Sequence, residues 1–259
     1  MVTSDWAVDR CLGVLIGLAA GDRNGGPIRM AVRLAESLID CGGFDPADVM
    51  DRYLRWWREG AFDTGPVSAR ALELVATGMP VPEAVAQVHK EFGGKTAGCN
   101  PAHRSPPLSM FTSIADEDLA RCAMTEARLT HHDPLAGEVA AAVNMLCRSL
   151  IRGTAWQDAT LKTGRFACPD GPGNNGGYAP DVLRAAIYFV GTSASFEEAL
   201  ERSLDFAGPA NYCPVTVGAI GGARWGATAI PQSALAHVDF LSKVFAAADK
   251  LSSGLSGTI

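Results

Sequence analysis

Residues 9–20 read DRCLGVLIGLAA, and this stretch decides the fold class. Its apolar residues Cys11, Leu12, Val14, Leu15 and Leu18 are spaced at the helical period and cover a broad stripe. Gly13, Gly17, Ala19 and Ala20 are interleaved with them, so this helix is expected to lie buried in close contact with its neighbours. The same period repeats outward. Residues 28–40 place Met30, Leu34, Leu38 and Ile39 on one face and stop before Cys41-Gly42-Gly43, a C-cap signal. Asp45-Pro46 opens the next helix as N-cap and first residue, and that helix carries Trp56 and Trp57 to its end near Arg58.

Further helices are expected at Val67–Ala76, Pro82–Glu91, Asp116–Leu129, Pro134–Ile151, Ala179–Val190, Ser195–Asp205, Thr216–Trp225 and Ala236–Leu251. Ser195-x-x-Glu198 is a capping box. No run alternates with period two. The expectation is an all-α orthogonal bundle of about ten or more helices, packed as a single domain. It spans 1–259, with a loose tail at 252–259. Three loops rich in Gly, Pro, Asn or Cys interrupt the helices: Asp22–Pro27, Gly93–Pro107 and Gly164–Gly177. Loops on a rigid scaffold are where sites usually sit.

The chain has 259 residues, of which 47% are hydrophobic, and its 22 basic and 28 acidic side chains give a net charge of −6. That balance excludes disorder and opposes a nucleic-acid partner. Apolar stretches such as Leu12–Ala20 fall well short of the roughly 20 residues of a membrane span. The first residues, MVTSDWAVDR, lack the basic-then-apolar run of a signal peptide. The 7 cysteines form no CxxC pair, which points to a reducing, cytoplasmic setting.

Four segments in this order resemble the ADP-ribosylglycohydrolase family, in particular its dinitrogenase-reductase-activating members. They are Gly13–Asp22 (GVLIGLAAGD), Ala61–Leu72 (AFDTGPVSARAL), Gly98–Phe111 (GCNPAHRSPPLSMF) with Leu129–Pro134 (LTHHDP), and Gly176–Ala186 (GGYAPDVLRAA) with Phe196–Pro231. The resemblance implies an all-α fold and hydrolysis of N- or O-ribosyl bonds. It also implies a dinuclear Mg²⁺ or Mn²⁺ centre, held by a Thr-Asp-Asp-Thr motif before the second helix and an Asp-x-Asp-Thr motif near the C-terminus. Here those places read Gly25-Gly26-Pro27-Ile28 and Pro209-Ala210-Asn211-Tyr212. Hard cations require carboxylate oxygens, and these residues supply none, so neither a metal nor another cofactor is expected.

Breaking an N-ribosyl bond requires stabilisation of an oxocarbenium-like transition state and an acid or base for the water or leaving group. By the resemblance, Asp63 faces the pocket and is the first candidate base, with a helix N-cap as its alternative. Asp22 is the second catalytic candidate, with a salt bridge to Arg23 as its alternative. His103 stands where the family has Met. It could protonate a leaving group or activate water near neutral pH, or simply bond the backbone. Cys99, Asn100 and Arg104 share its loop as binding candidates, Arg104 with a structural role as its alternative. The resemblance places His131 in the pocket. Tyr178 is a platform for a flat heterocycle or else core packing. Asn211 and Tyr212 refill the second metal motif. Cys99, His103 and Cys213 have zinc-compatible side chains without zinc-like spacing.

The expected function is metal-independent hydrolysis of an N-ribosyl bond in a small NAD- or nucleoside-derived metabolite, in a biosynthetic or salvage setting. The alternative is a catalytically silent relative that binds ADP-ribose or a similar ligand. The expected partner is this small molecule.

Overall fold

The computed structural model describes residues 5–166 and 171–256. The first helix, α1 (Asp5–Gly21), is buried on nearly every side through its second half. It is followed by α2 (Gly26–Cys41), α3 (Pro46–Arg58), α4 (Pro66–Ala76) and α5 (Val81–Glu91). Two short helices come next, α6 (Asn100–Arg104) and α7 (Pro107–Met110). Then come α8 (Asp116–Ala127), α9 (Pro134–Ile151) and α10 (Trp156–Leu161). The C-terminal part holds α11 (Ala179–Thr192), α12 (Phe196–Ala207), α13 (Cys213–Trp225) and α14 (Leu241–Ser256). The protein is an all-α single domain, with no strand among the described residues. One large apolar core joins most of these helices, and a small satellite cluster of Val67, Ala71, Leu74, Ala84, Val85 and Val88 packs α4 on α5.

The spine is the antiparallel pair α1 and α13. A Cβ on Gly13 would strike the Gly222 carbonyl, one on Gly17 the Gly218 carbonyl, and one on Gly21 the Pro214 carbonyl. Only glycine lets the two backbones meet this closely. The register puts the C-terminal end of α1 beside the N-terminal end of α13, so Asp22 reaches Asn211. The small residues of the opening stretch therefore do what close packing requires of them. α9 has 18 residues and a mean hydropathy of 1.2, enough in length and composition to cross a membrane, but 78% of it is buried inside the fold.

Several sequence expectations are corrected. The loop expected at Gly93–Pro107 contains α6, and α7 starts at its end. Both helices are too short to show a hydrophobic period. α10 was not foreseen for the same reason. The helix expected from Ala236 begins only at Leu241, because the preceding residues make tertiary bonds instead. His237 Nε2 lies 3.1 Å from the Asp22 carbonyl oxygen, and Asp239 accepts from Arg29 at 2.7 and 2.8 Å. The tail expected to be loose from 252 is helical through Ser256, with Ser252 buried. Of the loop expected at Gly164–Gly177, residues 167–170 lie outside the described residues, and Gly164–Phe166 form a single 3₁₀ turn.

Candidate active site

Helix ends converge on one cavity of about 790 Å³ at the junction of α2, α4, α6, α9, α11 and α13. Residues 97–99 pair antiparallel with 177–179 along one wall. Cys99 N–H donates to the Gly177 carbonyl (3.0 Å), and Ala179 N–H to the Ala97 carbonyl (2.9 Å). This bridge ties the start of α6 to the start of α11. It brings Cys99, Asn100 and His103 together with Tyr178 in the cavity lining. Asn211 and Tyr212, from the turn before α13, close the end. The Tyr212 ring packs against Gly177, where a Cβ would come within 2.9 Å of it.

Asp63 lines the same cavity and is exposed in it. Its φ of 50° makes it the one left-handed residue that is not glycine, among the described residues. The turn is held because Gly26 has no Cβ to meet the Phe62 carbonyl oxygen, which would be 2.6 Å away. Asp63 does not cap α4, whose N-cap is Gly65 and has no side-chain bond. Among the described residues its closest hydrogen-bond partner is Asn24 Nδ2, at 3.4 Å. Partial burial and the nearby Asp22 charge raise its pKa, while the amides of Asn24, Gly26 and Asn211 pull the other way. A raised carboxyl pKa means the folded state favours the protonated form. The stability this group confers is therefore present at acid pH and is lost as pH rises through the folded pKa. Asp63→Asn is expected to raise the melting temperature at pH 7 and to give a smaller gain at pH 4, measured by calorimetry. A gain that grows toward acid would show that the sign is wrong.

Three candidates are elsewhere. Asp22 is fully buried, and its carboxylate is consumed. Oδ1 accepts from Gly25 N–H (2.9 Å) and Asn211 Nδ2 (2.7 Å), and Oδ2 accepts from Ile28 N–H (2.8 Å). It thus caps α2, whose own N-cap Gly25 has no side chain. It makes no salt bridge with Arg23, whose guanidinium donates to the Gly208 and Ala210 carbonyls at 2.7 and 2.9 Å. Arg104 does not line the cavity. It is buried against Glu126, at 2.6 Å, and Thr130 Oγ1, at 2.9 Å, which is the structural role. His131 lies behind the wall, with Nδ1 2.8 Å from Thr130 Oγ1 and Nε2 against Gly98. Burial and the Arg104 charge push its pKa far down.

His103 lines the cavity but is almost fully buried. Burial, opposed by the Tyr212 backbone and aided by Arg104, lowers its pKa to about 4. The neutral imidazole is thereby favoured, which suits His103 better to accept a proton than to donate one near neutrality. Burial likewise pushes the Cys99 and Cys213 thiols up to about 12, which leaves neither as a thiolate nucleophile at neutral pH. Two further lining groups were missed by sequence reasoning. Lys95 belongs to the Gly-rich loop after α5, and Asn24 to the turn before α2. A charged residue inside a glycine-rich loop was the available signal for Lys95.

The donor set does not fit the dinuclear centre that the resemblance implies. Among the described residues no group of three or more His, Cys, Asp or Glu side chains is placed to hold a metal ion. Of the two carboxylates near the former motifs, Asp22 has spent its oxygens on backbone and amide donors, and Asp63 alone cannot hold two metals.

The whole architecture has known counterparts. The family model of ADP-ribosylglycohydrolases matches residues 28–257. The chain is 21% identical to the ADP-ribosyl-[dinitrogen reductase] glycohydrolase of Rhodospirillum rubrum, over 89% of this chain and 90% of that protein. It is 24% identical to the ADP-ribosylarginine hydrolase Tri1 of Pseudomonas putida (strain GB-1), over 89% of this chain and 74% of that one. Its structure is similar to that of an "ADP-ribosylglycohydrolase-related protein complex", with a TM-score of 0.77, 29% identity and coverage of 96% of this chain and 99% of that one. Matched from α2 into α14, with its cavity at the same motifs that carry the sequence resemblance, the chain belongs to the ADP-ribosylglycohydrolase family.

Proposed function

We propose that this chain hydrolyses an N-ribosyl bond in a small NAD- or nucleoside-derived metabolite, with Asp63 taking over work that metals do in its relatives. The observation that carries the reading is Asp63 itself. Among the described residues the other carboxylate lining the cavity, Asp133, caps α9 by accepting from Leu135 N–H (3.0 Å), while the side-chain hydrogen bond that Asp63 makes, to Asn24, is long. It is held in a left-handed turn, and such strained residues persist where surroundings over-determine them. An ionised carboxylate there can stabilise positive charge developing at the anomeric carbon and accept a proton from the attacking water. Asn24 and Asn100 offer amides to the ribose hydroxyls, whereas the Asn211 amide is engaged in the fold, its Oδ1 accepting from Arg23 N–H (3.2 Å) and its Nδ2 donating to Asp22 (2.7 Å).

The test is turnover in EDTA, with NAD, ADP-ribose, nicotinamide riboside and nucleosides as substrates and mass spectrometry as readout. Release of a free base is expected, with Asp63→Asn losing about a hundredfold or more in kcat while binding changes little. The rate is expected to fall on the acid side, with a limb above the usual aspartate range because the Asp63 pKa is raised. Activity that requires added Mg²⁺ or Mn²⁺ would overturn the reading. The second reading is ligand binding without turnover. It is favoured by the neutral, buried state of His103 and Cys99, which leaves Asp63 without a partner acid. Saturable binding with no product in either buffer would select it.

A further inference from the structure

We propose that a second cavity, of about 320 Å³ and remote from the candidate active site, binds a small phosphorylated metabolite by its phosphate, between the guanidiniums of Arg10 and Arg224.

Arg10 belongs to α1 and Arg224 to the last turn of α13. The cavity therefore lies on the spine pair at the end opposite Asp22 and Asn211, with about 16 Å of α1 between Arg10 and Gly21. Residues 150 and 153–156, at the turn from α9 to α10, form the facing wall.

Among the described residues neither arginine has a carboxylate partner. The adjacent acid, Asp9, is bonded instead to the Thr228 N–H (3.0 Å) and hydroxyl (2.9 Å). Arg10 Nη1 donates to the Leu150 carbonyl (2.9 Å) and Arg224 Nη1 to the Val190 carbonyl, near the C-terminal ends of α9 and α11. Capping those ends is the competing role. It occupies one N–H of the five on each guanidinium, and it does not require two cations in one cavity. Their proximity is felt at Arg224, where burial and the Arg10 charge both lower the pKa. The ends of α9, α11 and α13 would each bring roughly half a negative charge if their carbonyls were bare. Those carbonyls have donors. Leu150 also accepts from Gly153 N–H (3.0 Å), and Gly222 accepts from Gly226 N–H (2.9 Å). Two cations with unused N–H groups remain, and an oxyanion is the group that fits them. A phosphate monoester carries about −1.5 to −2 at pH 7 and matches both, whereas a single carboxylate matches one.

The guanidiniums are also held in place before any ligand arrives. Arg224 Cζ lies 4.8 Å from the Trp156 ring centre and 4.7 Å from that of Trp225, and Arg10 Cζ lies 5.0 Å from that of Trp6. Trp6 is seated on Gly153, left-handed at φ 83°, where a Cβ would come within 2.5 Å of the ring. Stacked arginines have less freedom to lose on binding. The volume is that of a small-molecule site rather than of a protein interface.

Calorimetry on the full chain, at low salt, titrates inorganic phosphate, glycerol 3-phosphate and acetate. Saturable binding of both phosphates is expected, about tenfold or more tighter than acetate. Arg10→Gln and Arg224→Gln are each expected to weaken it about tenfold. Both also remove a helix cap, so Arg10→Lys and Arg224→Lys are measured beside them. Lysine keeps a cation near the carbonyl and loses the fork, so the melting temperature is expected to hold while affinity still falls. Lys95→Gln, at the candidate active site, is expected to leave the phosphate affinity unchanged. Absence of saturable phosphate binding overturns the proposal, and so does acetate binding as tightly as phosphate. An affinity kept in the arginine variants, or lost in Lys95→Gln alone, places the anion elsewhere and overturns it as well.

Discussion

Replacing Glu126 with alanine is expected to lower the unfolding free energy by about 3–5 kcal/mol, read as a fall in the denaturant midpoint at unchanged slope. Glu126 Oε1 accepts from Arg104 Nε at 2.6 Å and from the Tyr53 hydroxyl at 2.8 Å, and all three residues are fully buried. Burial, the largest single influence, depresses the guanidinium pKa, and the charges and hydrogen bonds of Glu126 and Tyr53 together outweigh it. Removing the carboxylate strands a cation in the core, which is the costly case, whereas removing both charges is not. The double replacement Arg104→Met with Glu126→Leu is therefore expected to be more stable than Glu126→Ala. A fully additive cycle would refute the coupling. The effect reaches the cavity. Arg104 is the last residue of α6 and anchors it to α8 and Tyr53, while its neighbour His103 lines the wall. Loosening the anchor is expected to weaken ligand binding as well as the fold.

This pair also shows where sequence reading succeeds and where it stops. Helix type and many ends follow from local rules. Ser195 accepts from Glu198 N–H at 3.2 Å and Asp45 from Ala47 N–H at 2.9 Å, as the N-cap signals foretold. Cap geometry is decided within four residues, so it is legible. Depth is not. Arg104, His103 and His131 all sit in motif-like stretches that a resemblance assigns to a pocket, yet only His103 reaches the cavity. The other two face Glu126 and Thr130, partners 22 and 1 residues away in the chain, toward the core. A periodicity shows which residues share a face, not which side of a wall that face meets. The Asp22 carboxylate is a second instance. Its partner Asn211 is 189 residues distant, and no local pattern announces that bond. By contrast, the loss of acidic residues at 25–28 and 209–212 could be read directly, since a missing ligand type requires no geometry to detect.

The seam that creates the Asp22–Asn211 contact is itself open to test. Gly222→Ala is expected to cost about 3 kcal/mol, against the gain of about 0.4–1 kcal/mol that a helical Gly→Ala exchange otherwise brings through the unfolded chain. The new methyl would meet the Gly13 carbonyl, which is backbone and has no rotamer by which to retreat. α1 and α13 must then part, and the contacts of Gly17 with Gly218 and of Gly21 with Pro214 open with them. Gly17→Ala is expected to fall in the same range, and the two together to cost less than their sum, since helices already parted are parted once. Gly43→Ala, at a position with no atom within 4 Å and no left-handed backbone, is the control and should be nearly neutral. A separate consequence concerns function. Gly218 lies one turn nearer the cavity than Gly222, so Gly218→Ala is expected to weaken ligand binding more than Gly222→Ala for a similar loss of stability. Equal losses of affinity would mean that the seam supports the fold alone, and that the register of α1 on α13 does not set the floor of the site.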